Sequence, residues 1–250
     1  MTSNCSNQLP ILYQDDDIVI IDKPAGMLVH RTAMDRDHRA VLQLLRDQIG
    51  QRVNPVHRLD KPTSGVLAFA LSSDMTRELQ AIFDGGMAVK RYLALVRGYA
   101  ETRGVIDYPL RQAPGKPPRD ARTDFRRLAT GEAPFPAGPF PTARYSLLEA
   151  QPITGRLHQI RRHCAHIRHP VLGDTTHGDG KQNKAFRANL GIHRLMLMAR
   201  SLSFPHPRHG RPVQVTAPVP AAFAQVFDYL GWPRQPEEPE APGITPVCDA

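Results

Sequence analysis

The sequence predicts an α+β protein, in which strands and helices follow one another at irregular intervals. Short runs of β-prone apolar residues indicate strands at 11–13, 18–21 and 66–71. Apolar residues at helical spacing indicate a helix at 41–49, with Gly50 as its C-terminal stop. A chain of 250 residues with these elements is long enough to bury a sizeable core.

The rest of the chain shows the same two periodicities. An acidic turn joins the first two strands into a hairpin. Residues 74–83 form an amphipathic pattern that Gly85 and Gly86 end, so a helix is expected there. The further elements that we predict are strands at 92–96, 144–150, 195–199 and 213–215, and helices at 156–168 and 221–230.

One folded domain is predicted, over residues 10–232, between two short disordered ends. Residues 1–9 are mostly polar, and residues 233–250 are rich in Pro and Glu, a composition that disfavours a packed core. Within the domain, residues 111–141 carry many prolines interleaved with Gly and Arg, and few apolar residues. This stretch is predicted to be a long surface loop inserted into the domain rather than a second core.

The balance of charge indicates a polyanionic partner. The chain has 32 Lys and Arg against 24 Asp and Glu, which gives a formal net charge of +8. The same balance also occurs in proteins that merely stay soluble, so a nucleic-acid partner is a hypothesis at this point.

Cysteine usage and hydropathy predict the compartment. Cys5, Cys164 and Cys248 are odd in number and far apart, so we expect neither a disulfide framework nor a C-x-x-C metal site. The N-terminus lacks the apolar core of a signal peptide, and no apolar run approaches the ~20 residues of a membrane helix. We therefore expect a cytoplasmic protein that does not bind membranes, and we also expect a monomer.

A short stretch at 57–65, His-Arg-Leu-Asp-Lys-Pro-Thr-Ser-Gly, combines a lone carboxylate with tight-turn residues. Asp60 is flanked by cations, and Pro62 and Gly65 restrict the backbone just before the strand at 66–71. Such a loop can hold a side chain rigidly at the edge of a sheet. The alternative is a surface turn whose charges pair with each other.

Three blocks of the sequence, in order, resemble the RluA-type pseudouridine synthases. The stretch at 57–65 resembles their catalytic signature, and Lys-Arg-Tyr-Leu-Ala-Leu-Val-Arg-Gly at 90–98 resembles their tyrosine strand. Thr-Gly-Arg-Leu-His-Gln-Ile-Arg at 154–161, followed by His-Pro-Val-Leu-Gly-Asp at 169–174, resembles their arginine block. The resemblance covers about 10–232 and implies the pseudouridine synthase fold, a mixed, mostly antiparallel sheet with a central catalytic cleft.

The implied reaction breaks the C1′–N1 glycosidic bond of a uridine, turns the uracil and joins C5 to C1′. Redox balance does not change and no group is imported, so no cofactor and no metal are expected. A carboxylate suits the sugar chemistry, as it does in glycosidases. The resemblance implies that Asp60 is this nucleophile or base. Whether it bonds to C1′, bonds to the ring or removes a sugar proton stays open.

The resemblance supplies two partners for Asp60 at the catalytic site. Arg161 would pair with the carboxylate across the cleft, because an adjacent guanidinium favours the ionised form of a carboxylate. The alternative is that Arg161 faces solvent on its helix. Tyr92 would stack on the target uracil, although a lone strand tyrosine is usually a core residue with a satisfied hydroxyl.

Further residues are predicted to contact RNA. A paired uridine must flip out to reach a buried carboxylate, and Arg58 would fill the vacated stack or, alternatively, bind phosphate. His57 would orient the loop or simply pack. The arginine block contributes the other predicted RNA-binding residues, Arg156, His158, Gln159 and Arg162. The cations of 111–141 are candidates for the same role, with a solvated loop as the default.

A zinc site is the alternative for the histidines of the arginine block. His163 and His166 have a spacing that can chelate on a helix. However, His-Glu-x-x-His is absent and no Asp or Glu lies between Gln151 and Gly173, so no metal is expected.

The finer resemblance favours a tRNA substrate. The short N-terminus and residues 47–51 are similar to the branch of the family that modifies tRNA, at uridine 65 of the T stem. The alternatives are a uridine of large-subunit rRNA and a basic RNA-binding protein without catalysis. One departure from the family is Met198, where many members carry His, so any role given to that His is in doubt here.

Overall fold

The computed structural model describes residues 8–30 and 40–234. The predicted disordered ends therefore lie mainly outside the described residues. The N-terminal prediction is too long by its last residues, because Leu9 is buried and exchanges two backbone hydrogen bonds with the Gln48 side chain.

Ten strands of the described part form one sheet, and two more form a separate hairpin. The strands are β1 (Ile11–Gln14), β2 (Ile18–Lys23), β3 (Asn54–Pro55), β4 (Ser64–Ala70), β5 (Val89–Arg97), β6 (Arg103–Asp107), β7 (Leu110–Arg111), β8 (Pro118–Arg119), β9 (Arg122–Ala133), β10 (Ala143–Pro152), β11 (Leu197–Pro205) and β12 (Pro212–Thr216).

The large sheet is mixed and mostly antiparallel, as the family resemblance implied. Its path is β1-β2-β4-β11-β5-β10-β9-β6, with β12 added to β11 and β3 added to β4. The contact between β4 and β11 is parallel, and the other pairings are antiparallel. The chain thus has the α+β architecture that the irregular order of its elements predicted.

The described helices are α1 (Val41–Ile49), α2 (Ser73–Asp84), α3 (Gln159–His166), α4 (Gly180–Leu190) and α5 (Ala221–Leu230). Four of them were predicted, but α3 begins later than expected because His158 adopts a left-handed backbone at its N-cap. The sequence analysis missed α4, which Asp179 caps by accepting from two backbone N–H groups. No helix among the described residues combines the length and apolarity that a membrane crossing requires.

The helices cover both faces of the sheet, because alternate residues of each strand point in opposite directions. Ile18 and Ile20 of β2 pack into a core with α2, α4 and α5, while Val19 and Ile21 pack into a second core with α1. A third cluster joins α3 to β5, and Ile160 belongs to it. The sheet is therefore buried in its middle, and its central strands are held rigidly.

The prediction of a long surface loop at 111–141 is wrong for its middle, residues 122–133. Strand β9 occupies the middle of this stretch and lies in the large sheet between β10 and β6. The prolines cluster on either side of this strand, at 114–118 and 134–141, and leave its backbone N–H groups free to pair. Apolar residues are sparse because the strand lies near the sheet edge, with much of its length partly exposed.

Candidate active site

The loop at 57–65 is seated against the centre of the sheet by Gly65. This glycine has φ 108 and pairs with Ala199 in the parallel contact between β4 and β11. A Cβ at Gly65 would lie 2.0 Å from the Ala199 carbonyl oxygen, so no other residue fits without moving the strand. The close approach places Asp60 near the N-terminal end of β4, where the loop enters the sheet.

Tyr92 reaches the same place from the other side of β11. It pairs with Ala199 across β5 and β11, so Gly65 and Tyr92 flank one residue of the central strand. The side chain is partly buried between two apolar clusters. Burial, followed by the charge of Asp60, raises the pKa of the Tyr92 hydroxyl, which stays protonated at neutral pH.

Arg161 binds Asp60, as the resemblance implied. Its Nη1 donates to Asp60 Oδ2 at 3.1 Å, although the two residues are 101 positions apart. The side chain of Arg161 is 4% exposed and that of Asp60 is 17% exposed, so the pair lies at the floor of a cleft. The alternative of a solvent-facing arginine is therefore wrong.

A second carboxylate, Asp174, was missed by the sequence analysis. Arg161 Nε and Nη2 donate to its two oxygens at 2.7 and 2.8 Å, a bidentate pair that fixes the plane of the guanidinium. Burial opposes ionisation of Asp174, but hydrogen bonds from Arg161 and from two backbone N–H groups hold its pKa at about 2. The signal available in the sequence was its place at the end of the His-Pro-Val-Leu-Gly-Asp block, with no indication of its partner.

Lys23 holds the loop at 57–65 against the turn that follows β2. It is fully buried, and its Nζ donates to the carbonyl oxygens of Pro24, Met27 and Lys61. Burial and the charge of Arg194 lower the pKa of Lys23 to about 7, against an opposing effect of Asp60. The amine therefore ties the residue after Asp60 to the preceding turn.

The ring of His57 packs against the protein, and its two nitrogens do not both face the cleft. Its Nε2 accepts from the Ala68 backbone N–H at 3.1 Å, and its ring stacks on Phe83 at 5.0 Å. Burial, together with the nearby charge of Lys90, lowers the pKa of His57 to about 3, so the ring is a neutral acceptor. These contacts combine the two alternatives, since the hydrogen bond ties the loop to β4 and the ring packs on Phe83.

A cavity of about 500 Å³ opens over the pair of Asp60 and Arg161. Tyr92 and Arg58 line it together with that pair, and Arg58 is exposed at its edge. The structure therefore brings together the residues that the three sequence blocks singled out. Met198 does not contribute to this cavity, since it is fully buried in the core beside Ser64.

The other predicted RNA-binding residues of the arginine block differ in their surroundings. Gln159 is buried, and its amide bonds to Thr154, to the Arg156 N–H and to the backbone and side chain of β9. It holds the loop before α3 in place, which leaves no group for the predicted contact with RNA. His158 lines the cavity, with its Nε2 3.9 Å from Asp60 Oδ2.

A hairpin made by β7 and β8, residues 110–119, lies beside the cavity, which its residue Gln112 lines. Arg162 Nη1 donates to the Arg111 carbonyl, and His166 stacks on Tyr108 with ring centroids 3.8 Å apart. Arg156 Nε donates to the Asp120 carbonyl just after the hairpin. These contacts fasten the hairpin to α3, and the side chains of the hairpin are almost all exposed.

Among residues 8–30 and 40–234, no group of three or more His, Cys, Asp or Glu side chains is arranged to hold a metal ion. His163 is buried and bonded to Thr123 and to the Tyr108 carbonyl, so its two ring nitrogens are already used.

A carboxylate held by an arginine, beside a tyrosine at the centre of a mixed sheet, is the arrangement that the resemblance implied. Residues 17–166 match the family model described as RNA pseudouridylate synthase, and the chain belongs to this family. It is therefore an isomerase that makes pseudouridine.

Relatives and solved structures agree with this assignment. The chain is 48% identical over 236 residues to a protein of Vibrio vulnificus named tRNA pseudouridine synthase C, covering 90% of this chain and 96% of that one. A protein of the same name from Haemophilus influenzae is 46% identical over 235 residues, covering 90% and 98%. The structure of human RNA Pseudouridylate Synthase Domain Containing 4 matches with a TM-score of 0.69 at 27% identity, covering 89% and 93%.

Proposed function

We propose that this protein converts a uridine of tRNA into pseudouridine, and that the target is uridine 65 in the T stem. The tRNA substrate is supported by the names of relatives that match over nine-tenths of the chain. The single observation that carries the chemical part is the contact of Asp60 with Arg161 at the floor of a cavity that Tyr92 also lines.

Asp60 is the proposed nucleophile or base in this reaction. The ionised carboxylate is the form that attacks or deprotonates the sugar, and Arg161 supplies the counter-charge beside it. The position of the guanidinium beside Asp60 is set by Asp174, which binds two of its other donors. The carboxylate of Asp60 is therefore oriented before the substrate binds.

Tyr92 is proposed to stack on the extruded uracil. Its ring lies against apolar side chains at the wall of the cavity, and its protonated hydroxyl carries no charge that would repel Asp60. A base stacked on an aromatic ring gains about 1–3 kcal/mol. This gain offsets part of the few kcal/mol that unpairing and unstacking the uridine cost.

Arg58 and the β7–β8 hairpin are proposed to hold the rest of the RNA. Arg58 is exposed beside the cavity, where a planar guanidinium can replace the flipped base in the stack or bind a phosphate. The hairpin carries Arg111, Lys116 and Arg119 on an exposed surface, fastened to the helix that supplies Arg161. Phosphate contacts from such cations position an RNA without reading its sequence.

We further propose that residues 10–232 form the catalytic unit, that it acts as a monomer in the cytoplasm, and that it needs no cofactor. A single chain contributes Asp60, Tyr92 and Arg161 to the cavity, which supports the monomer.

The test is to map pseudouridine by chemical labelling in tRNA and rRNA from cells with and without this protein. Loss of pseudouridine at position 65 of tRNA alone supports the proposal. Loss of a large-subunit rRNA site with intact tRNA would assign the other substrate. Unchanged modification in both RNAs, with binding of purified protein to RNA, would indicate a binding protein without catalysis.

A further inference from the structure

Two histidines form a chain that leads away from Asp60. The Nδ1 of His158 lies 3.0 Å from the Nε2 of His177, a distance at which the two rings share one hydrogen. The other nitrogen of His158, Nε2, lies 3.9 Å from Asp60 Oδ2. His158 lines the cavity with its side chain 27% exposed, and neither the Asp60 nor the Arg161 chemistry described above uses its free nitrogen.

The backbone holds His158 in an unusual conformation. It has φ 53 and is one of two non-glycine residues with positive φ among the described part of the chain. Such conformations cost free energy and are retained at functional sites when the surroundings impose them. Here the surroundings are the buried amide of Gln159 on one side and the start of α3 on the other, where the Arg162 N–H donates to the His158 carbonyl.

The surroundings also favour the neutral form of both rings. Burial lowers the pKa of His158, with Asp60 and Asp174 acting in the opposite direction and Arg161 and Arg162 in the same one. Burial likewise lowers the pKa of His177. In neutral rings joined by one hydrogen bond, His158 can donate from Nδ1 and keep a lone pair on Nε2, facing the cavity.

One step of the proposed reaction needs a base in the cavity that His158 lines. When C5 of the uracil has joined C1′, C5 still carries its hydrogen and the ring has a double bond between N1 and C6. Pseudouridine forms when the C5 proton leaves: its bonding electrons restore the C5–C6 double bond, the π electrons of the N1–C6 bond move to N1, and N1 takes a proton from water. The proton balance is therefore zero. At this stage Asp60 Oδ2 accepts from Arg161, whereas Nε2 of His158 has no such partner among the described residues.

We propose that His158 takes the C5 proton on Nε2 and passes its Nδ1 proton to Nε2 of His177, which releases a proton from its own Nδ1 to solvent. Proton exchange with water returns both rings to their starting tautomers before the next turnover. This assignment rests on the proposed function, since it names a second catalytic group in the same cavity. His177 is the relay residue, and it needs no contact with the substrate. The chain of two rings moves the proton away from Asp60, so the carboxylate is not neutralised by the product.

The experiment uses His158→Asn and His177→Asn in the full-length protein. Asn tolerates the left-handed backbone that His158 adopts. His193→Asn is the control, because His193 is exposed and does not line the cavity. Each variant receives tRNA transcripts that carry uridine, 5-deuterouridine or 5-fluorouridine under single-turnover conditions. The nucleosides of a nuclease digest are then separated by chromatography.

With uridine, we expect His158→Asn to form pseudouridine about 10²-fold more slowly and to show a primary deuterium isotope effect, because C5 deprotonation becomes rate-limiting. With 5-fluorouridine, whose C5 has no proton to lose, we expect His158→Asn to consume the nucleoside at the wild-type rate. His177→Asn should show a smaller effect of the same kind.

Two results would overturn the assignment. One is an equal slowing of His158→Asn on uridine and on 5-fluorouridine, which would indicate that His158 only positions Asp60. The other is a wild-type rate on uridine without an isotope effect. A wild-type protein that isomerises none of the transcripts would instead refute the proposed function itself.

Discussion

Asp60 and Asp174 are held by the same guanidinium. Arg161 donates twice to Asp174, whose side chain is 1% exposed, and once to Asp60, whose side chain is 17% exposed. The buried carboxylate fixes the arginine through Nε and Nη2, and its third nitrogen, Nη1, donates to the carboxylate at the cavity floor. The orientation of the Asp60 side chain therefore depends on a buried residue that a substrate cannot touch.

Replacing Asp174 should damage both stability and turnover. Asp174→Asn keeps the size of the side chain but leaves Arg161 without its buried counter-charge. Removing one partner of a buried ion pair costs about 3–5 kcal/mol, so thermal unfolding should occur at a much lower temperature. We also expect a lower kcat, because the guanidinium is no longer fixed beside Asp60.

Asp107→Asn is the matched control, because Asp107 is exposed on β6. It should change neither unfolding temperature nor kcat. Wild-type values of both in Asp174→Asn would refute the dependence of Asp60 on the buried pair.

Acid should weaken the fold through Asp174. The folded-state pKa of about 2 lies below the ordinary value of 3.8, so the ionised carboxyl stabilises the fold fully above about pH 4. This contribution is lost as the pH falls from about 4 to about 2. Urea unfolding of the wild type should therefore show a drop in free energy over that window, and Asp174→Asn should show a smaller drop. Parallel pH profiles for the two proteins would count against the ion pair.

A methyl group at Gly65 should separate the loop from the sheet. In Gly65→Ala the new Cβ meets the Ala199 carbonyl oxygen at 2.0 Å, so β4 and β11 must move apart and Asp60 moves with them. We expect a loss of more than about 1 kcal/mol in unfolding free energy and a fall in kcat.

Gly86→Ala is the control for backbone strain alone, since Gly86 has φ 76 and nothing lies within 4 Å of its Cβ position. It should lose stability but keep the kcat of the wild type. Equal kcat values for the two variants would show that the close approach at Gly65 does not position Asp60.

Substitutions of Tyr92 separate stacking from hydroxyl chemistry. Tyr92→Phe keeps the ring against the same apolar clusters, so RNA binding should stay within about 3-fold of the wild type. Tyr92→Ala should lose about 1–3 kcal/mol of binding free energy. Filter binding of a tRNA transcript measures both. A Tyr92→Ala protein that binds as tightly as Tyr92→Phe would contradict the stacking role.

Charge reversal on the β7–β8 hairpin should weaken binding without changing the chemistry. A double variant, Lys116→Glu with Arg119→Glu, should raise KM and flatten the dependence of binding on salt, because fewer phosphates are neutralised. The value of kcat should stay unchanged, since neither side chain lines the cavity. The same reversal at Lys184 and Arg187, exposed on α4, is the control for net charge. Equal effects of the two double variants would remove the hairpin from the RNA-binding surface.

Local patterns predicted the elements whose apolar spacing was strong. The strand at 66–71 and the helices at 41–49 and 221–230 lie within a residue or two of β4, α1 and α5. Strand β9 was missed because its stretch is rich in charge and lies between proline clusters, and only pairing with β10 and β6 stabilises it. Helix α4 was missed because its sequence has a weak apolar pattern.

The residues of the candidate site divide in the same way, into those that the sequence predicted and those that depend on tertiary contacts. The sequence blocks brought Asp60, Tyr92 and Arg161 into one hypothesis, and the structure places them around one cavity. Asp174 and Gln159 could not be assigned in this way, because their roles depend on tertiary contacts with Arg161 and β9. A glutamine within an arginine-rich block has no local signal that distinguishes a buried amide from one that faces RNA.

The most direct test of the account is single-turnover pseudouridine formation by Asp60→Asn on a tRNA transcript. The amide keeps the shape of the side chain beside Arg161 but cannot attack or deprotonate the sugar. We predict normal folding and RNA binding with no pseudouridine formed. Pseudouridine formation by Asp60→Asn at the wild-type rate would contradict the account.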